Sequence, residues 1–472
     1  MFSIFLSSLS FKDILDIIVK FIGLPTAIAG VVTLIIRMRN SQKERKKAAF
    51  KVRLEQVRKV SATSTKENEE YYKEKYKDRL AKSYGLIIDK NWVIYQDKRE
   101  DNIGEKIEIN SINDLVKLSD IETENQKIDK EISIPSYKIF PNYKKYSKRT
   151  PEQTYVNNYL KYSVRATYLF NGKLYAAKDI VKSGDKIKLI TYKTDYYSFL
   201  NTCKVLELLY ETKERKQKLD IDILNLTNRY AGIGINCLTI IKNVRKRTNP
   251  KQKRDYFLIH QRTDKVIESP EHIHVVPAGS YQPIGSIDRD SDPKLIAFNK
   301  DMTNTAYREF CEEILNTSHM SEINSYSLLT ESNDYQFCKK FLKMYYIGAG
   351  IEPYNTKMEI LALAIIDIDE ILEQKDSEII TKFVDEHKII NRLIQTLKED
   401  EKVEDKINLD LLSSLIANQD EIKEYISYEG KIKFEKLSKS MFEQFYSDNH
   451  STPSAREIFG FMYQHYDEIL KK

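Results

Sequence analysis

The sequence predicts an α+β protein carried behind a single N-terminal transmembrane helix, and three observations predict it. Residues 14–36 are almost wholly apolar and end on a dense basic run. Short apolar runs bounded by turn residues recur between residues 164 and 366. Residues 307–315 place apolar and acidic side chains on opposite arcs of one helix. The 472 residues suffice for two or three domains, and a hydrophobic content of 41% suffices for a buried core. The four cysteines, Cys203, Cys237, Cys311 and Cys338, lack CxxC spacing. Neither a zinc site nor a disulfide framework is expected, and a reducing compartment fits.

Residues 1–13 form a short leader. Between Ile14 and Ile36 only Asp16 and Lys20 are charged, and at a helical spacing of i, i+4 they can pair. About 20 apolar residues span a bilayer, so residues 14–36 are read as a transmembrane helix. The alternative is a signal peptide, for which Ala27-Ile28-Ala29 imitates a cleavage site. Against it, the apolar run continues to Ile36 and then meets a basic stop. Between Arg37 and Lys59 lie ten basic and two acidic side chains, a net +8 in a chain whose total is +6. Such a run places the C-terminal bulk in the cytoplasm of a single-pass protein. Near a membrane surface each charge is worth about 1 kcal/mol toward anionic lipid, so lipid headgroups are the expected partner and nucleic acid is not. Gly23, Ala27 and Gly30 lie on neighbouring turns and allow close helix approach, which makes the span a candidate for homo-oligomerisation. Residues 37–82 continue as a basic juxtamembrane stalk, helical and interrupted near 61–64.

Residues 83–229 read as a small α+β region with no assignable chemistry. Within it, residues 164–177 carry a hairpin signature around Asn171-Gly172, residues 187–192 add a strand, and a helix is expected from Tyr196 through Tyr210. In the stretch 230–395, residues 233–244 and 256–260 pair as a hairpin with the basic run 245–254 at its tip. Residues 341–347 and 360–366 are near-continuous apolar strands, and Asp367 or Asp369 caps the helix that follows. Residues 396–472 are charged and expected to be helical to the end, with Pro453 starting the last helix.

Chemistry concentrates at residues 307–315. At 100° per residue, Tyr307, Phe310, Cys311, Ile314 and Leu315 share one arc, and Glu309, Glu312 and Glu313 share the other. Each like-charge neighbour pair costs roughly 0.2–0.5 kcal/mol on an exposed helix. Mg2+ or Mn2+ reverses that sign, because hard cations take oxygen ligands. Arg308, at the edge of the acidic arc, is placed to hold one carboxylate.

The string Arg308-Glu309-Phe310-Cys311-Glu312-Glu313 resembles the second half of the Nudix signature, Arg-Glu-apolar-x-Glu-Glu. His272-Ile273-His274-Val275-Val276-Pro277-Ala278-Gly279-Ser280 looks like the strand and Pro-Ala-Gly loop that precede the helix in divergent Nudix proteins. The resemblance implies a Nudix-type α/β/α sandwich with a mixed sheet over residues 230–395. It implies Glu312 and Glu313 as metal ligands, Glu309 as a further ligand or the base that activates water, and Arg308 as its orienter. Glu359 stands where the family often supplies a late acidic ligand, and Arg262 and Lys265 are placed to meet phosphates. The chain departs from the pattern at Lys294, Lys300 and Leu315, where the family has glycine, glutamate and glycine.

The order of a membrane span followed by a divergent Nudix domain resembles the membrane-anchored Nudix effectors of bacterial cyclic-oligonucleotide antiphage systems (CBASS). That resemblance implies a nucleotide ligand such as a cyclic dinucleotide, a place in the bacterial inner membrane, and membrane disruption through the span. The alternative is an active Mg-dependent Nudix hydrolase of a nucleoside diphosphate-linked substrate. GxxxxGK, GxSxG and GxGxxG motifs are absent.

Overall fold

A computed structural model describes residues 68–96, 106–127, 172–183, 186–199, 202–203, 222–246, 249–262, 272–284, 293–315, 326–374, 378–379, 424–426 and 430–470. The expected membrane span at 14–36 and the basic run behind it lie outside the described residues. Among the described residues, no helix is long and apolar enough to cross a membrane. The chain divides into two compact units, residues 1–61 with 159–167 and residues 62–158 with 168–472. Everything described belongs to the second.

That unit is built on an eight-stranded mixed sheet. Its strands are β4 (Ile233–Lys246), β5 (Asn249–Arg262), β6 (Ile273–Val275), β7 (Ala278–Ser280), β8 (Leu342–Ile351), β9 (Met358–Asp367), β10 (Glu424–Ile426) and β11 (Gly430–Lys436). The order is β10-β11-β5-β4-β9-β8, with β6 on β5 and β7 on β4. β4 and β9 run parallel from Ile233↔Met358 to Lys242↔Asp367, and the remaining pairs are antiparallel. Their apolar runs suit that central place: β9 is buried from Met358 through Ile366, as a strand covered on both faces must be.

β4 and β5 pair only toward the hairpin tip, from Ile240↔Phe257 outward. Below that point they diverge, and residues 273–280 fill the gap. β6 pairs with β5 from Ile259↔Val275 to Gln261↔Ile273. β7 pairs with β4 through Gly234↔Ser280, Ile235↔Gly279 and Asn236↔Ala278. Val276-Pro277, a cis peptide, lies between them, and its two carbonyls accept the Thr239 and Cys237 N–H groups.

Helices cover both faces of the sheet. α1 (Pro293–Lys300), α2 (Met302–Glu313), α3 (Asn333–Phe341) and α4 (Ile368–Glu373) precede α5 (Lys439–Ser447) and α6 (Pro453–Gln464). Phe257 of β5 meets Phe442 and Phe445 of α5 and Phe459 of α6, with ring centroids 4.9, 5.9 and 6.1 Å away. Phe257 is in register with Ile240, whereas Gly279, which lies under α2, is in register with Ile235. Positions an odd number apart on a strand point to opposite faces, so α2 and the α5–α6 pair lie on opposite sides of the sheet.

A second sheet has the order β1-β3-β2, from β1 (Glu122–Asn125), β2 (Lys173–Ser183) and β3 (Lys186–Asp195). β2 docks on the larger sheet's connections through Tyr175 N–H to the Tyr281 carbonyl and Ala177 N–H to that of Ala231. The early residues also pack against the main sheet rather than apart from it. Ile87 bridges Ile351, and the Tyr95 hydroxyl donates to the Tyr346 carbonyl at 2.8 Å.

Several expectations change. β2 runs on to Ser183, past the expected limit at Ala177, and its partner is β3; residues 164–170, expected to pair with it, lie outside the described residues. A helix does begin at Tyr196 and is described through Phe199; most of its expected continuation to Tyr210 lies outside the described residues. The end of the stalk is docked: residues 68–75 are helical, Tyr72 and Tyr76 are buried, and Arg456 of α6 donates to Glu69 at 2.8 Å. The C-terminal region is not all helical, because β11 extends the sheet beside β5 from Lys436↔Tyr256 to Gly430↔Arg262. Its Gly-Lys-Ile-Lys-Phe-Glu-Lys sequence alternates as a strand should, but four charges conceal two apolar positions. Pro453 does open α6, behind the Thr452 cap, though a short helix, Tyr466–Leu470, follows it. Asp367 caps α4 by accepting the Asp369 N–H at 3.0 Å.

Candidate functional site

α2 begins at Asp301, whose side chain accepts the Thr303 N–H at 2.9 Å and so satisfies one of the free donors of the first turn. Its apolar arc packs on α3. The Tyr307 and Tyr335 rings stand 5.8 Å apart, and the Cys311 and Cys338 sulfurs 3.7 Å apart.

The acidic arc turns into the notch where β4 and β5 separate. Glu313 is 5% exposed. One of its oxygens accepts the Ala278 N–H at 2.7 Å, and the other lies 3.9 Å from His260 Nδ1 on β5. The Arg308 Nη2 donates to Glu309 Oε1 at 2.8 Å, and its Nε lies 3.8 Å from Glu312 Oε1. Burial opposes the Arg308 charge, but Glu309 and Glu312 outweigh it and hold the guanidinium protonated. The Glu309 carboxyl rests directly on Gly279: a Cβ at that position would stand 2.1 Å from Glu309 Cδ. Hydrogen is the only side chain that admits this approach.

Glu359 is not gathered into this group. Its Oε2 accepts from Asn236 Nδ2 at 2.6 Å, its Oε1 lies 3.6 Å from Lys357 Nζ, and it closes on Gly234, where a Cβ would be 1.9 Å from Oε2. Glu359 is in register with Gly234, one position from Ile235, the partner of Gly279. Strand alternation therefore sends Glu359 to the face opposite Glu309. Local spacing gives no sign of this, because it depends on how three strands align.

His260 is the functional neighbour that sequence reasoning missed; the one available signal was its place two residues before Arg262 on the same strand face. Burial, reinforced by the Arg262 charge, lowers its pKa to about 3, so the ring is neutral. Glu313, at 3.9 Å, is too distant for a direct hydrogen bond that would retain the proton. His274, its cross-strand partner, stands 2.6 Å from the Thr452 hydroxyl and is held neutral mainly by burial. Cys237 lies on the face of β4 that carries Ile235. Burial first, then the Glu313 and Glu309 charges, push its thiol far up, which rules it out as a nucleophile at neutral pH. Lys294 and Lys300 are exposed on α1. Lys265 lies outside the described residues.

The carboxylates of Glu309, Glu312 and Glu313 are the donor type that Mg2+ or Mn2+ takes. Each is engaged within the protein, however, and among the described residues no three acidic, histidine or cysteine side chains converge as a metal-binding group. Compared with known families and with curated proteins, the chain matches no family model and no curated sequence.

Proposed function

We propose that the described unit contains a Nudix-type domain over residues 230–395 that binds a nucleotide, and that the chain is a membrane-anchored effector of a CBASS-like bacterial antiphage system. The observation that carries this reading is the Arg308–Glu309–Glu312–Glu313 array, seated on Gly279 at the opening between β4 and β5. The central parallel β4–β9 pair, helices on both faces and a glycine-bearing loop facing the acidic helix all support it. In this reading the span at 14–36 sits in the inner membrane and conveys ligand-driven assembly to the lipid. Lys300, exposed where the family pattern has an acid, favours binding over turnover.

The gathered carboxylates favour a second reading, a Mg-dependent hydrolase of a nucleoside diphosphate-linked substrate. Glu309, Glu312 and Glu313 would hold the metal, which when bound polarises phosphate oxygens and lowers the pKa of water. Arg308 would fix the Glu309 carboxylate, and neutral His260 would leave the charge of Glu313 available.

One experiment separates the two. The full-length chain is melted with a panel of cyclic dinucleotides, with ADP-ribose and with a nucleoside triphosphate, and magnesium-dependent phosphate release is followed in parallel. Stabilisation by a cyclic dinucleotide alone, without release, supports the effector. Release that is lost in Glu312→Gln and Glu313→Gln supports the hydrolase. Neither stabilisation nor release from any nucleotide overturns both.

A further inference from the structure

The arc of α2 opposite its acids carries a thiol that the acidic array does not use. Cys311 of α2 and Cys338 of α3, 27 residues apart in sequence, bring their sulfurs to 3.7 Å. The two helices are fixed around that contact. About one turn earlier on each, the Tyr307 and Tyr335 rings stand 5.8 Å apart. The Tyr335 hydroxyl donates to Asn304 Oδ1 of α2 at 2.5 Å, Ser332 caps α3, and α3 runs directly into β8.

The other two cysteines give the comparison. All four are buried, so burial singles out no pair and contact does. The Cys203 sulfhydryl donates to the Tyr230 carbonyl at 3.3 Å, and Cys237 lies on β4. A disulfide holds its sulfurs about 2.05 Å apart, so closing Cys311 on Cys338 asks for a shortening of about 1.7 Å. That shift falls to rotation about the two Cα–Cβ bonds, since the tyrosine contacts already set the helices side by side.

We infer that Cys311 and Cys338 form a redox-sensitive dithiol, which hydrogen peroxide closes into a disulfide that clamps the acidic helix to α3. One sulfur attacks a peroxide oxygen, the O–O bond breaks, and the departing hydroxide takes the thiol proton, leaving a sulfenic acid and one water. The second sulfur attacks the sulfenic sulfur. An S–S bond forms, the S–O bond breaks, and hydroxide leaves with the second thiol proton as another water. Two thiols are oxidised and one peroxide is reduced. Burial first, then the Cys338 sulfur beside it, push the Cys311 thiol well up, so closure is slow at neutral pH and quickens as pH rises. In a reducing compartment the dithiol is the resting form. Closure is independent of what the acids of α2 bind.

Full-length protein, freed of reductant, is exposed to hydrogen peroxide at about pH 8, then unfolded in iodoacetamide and weighed intact and after proteolysis. The expected product has lost the mass of two hydrogens, joins Cys311 to Cys338 in one cross-linked peptide pair, and carries the alkyl label only at Cys203 and Cys237. Dithiothreitol restores label at all four. Because the bond joins positions 27 residues apart, it restricts the unfolded chain and should raise the midpoint of thermal unfolding by about 5 °C. In Cys338→Ala and in Cys311→Ala, either of which serves if the other does not fold, the same exposure gives neither the cross-link nor the rise. Label at all four cysteines after prolonged exposure, sulfinic acid in place of the cross-link, or a cross-link that includes Cys203 or Cys237 overturns the assignment. A cross-linked chain whose midpoint does not rise overturns the clamp.

Discussion

Replacing Gly279 by alanine tests how the acidic helix is seated. The added methyl would stand 2.1 Å from Glu309 Cδ and 2.3 Å from its Oε1, distances at which the carboxyl must leave. Leaving breaks the 2.8 Å Arg308–Glu309 bond at a site where Arg308 is 9% exposed. A hydrogen bond to a charged, buried group is worth about 1.5–3 kcal/mol, and overpacking adds about 1–3 kcal/mol. Since the carboxyl can swing partly into the notch, a net loss of about 3 kcal/mol is expected, read as a lowered midpoint of denaturant unfolding at unchanged slope. The decisive measurement is the double-mutant cycle with Glu309→Ala. Glu309→Ala removes the three atoms nearest that methyl, so Gly279→Ala should cost less in that background and the coupling should reach about 2 kcal/mol. Additive losses would show that Glu309 does not rest on Gly279.

Two further outcomes follow from buried polar groups. His260 has a folded-state pKa of about 3 against an ordinary value near 6.5. The neutral ring's contribution is therefore complete above about pH 6.5 and is lost as pH falls toward 3, because the unfolded chain takes up the proton first, at up to roughly 1.4 kcal/mol per pH unit. Urea unfolding across that range should show a shallower acid loss in His260→Asn than in wild type, and identical slopes would contradict the burial of the neutral ring. Arg229, fully buried, donates to the carbonyls of Thr356, Asn225 and Ile223 and to the Asn228 side chain, at 3.2, 3.1, 2.7 and 3.1 Å. Lysine keeps the charge but cannot reproduce that fork, so Arg229→Lys should lose about 3 kcal/mol or more. A wild-type melting temperature for that variant would refute the arrangement.

Much of the fold was legible locally. β8, β9 and the apolar parts of β4 and β5 fall where apolar runs and turn residues place them, but β5 begins at Asn249, inside the basic run 245–254 expected at the hairpin tip. α2 covers the stretch from Tyr307 to Glu313 that its period marks, while its start at Met302 behind the Asp301 cap is seen only in the structure. β11 escaped notice because the charge of its lysines masks the alternation of Ile432 and Phe434. The docking of residues 68–96 escaped for a different reason: what holds it, Ile87 against Ile351 and Glu457 against two backbone amides, joins residues far apart in sequence.

For the candidate site, the sequence alone determined that Arg308, Glu309, Glu312 and Glu313 would project from adjacent arcs of one helix, since a 3.6-residue period leaves no other outcome. The tertiary structure decided which way that arc points, and it decided against solvent. Gly279 and the separation of β4 from β5 create a notch that admits carboxylates, and Ala278 N–H and Arg308 offset the cost of burying them. It also set Glu359 on the far face and brought His260 alongside Glu313. Both depend on strand register, a relation between segments that no local window of residues contains.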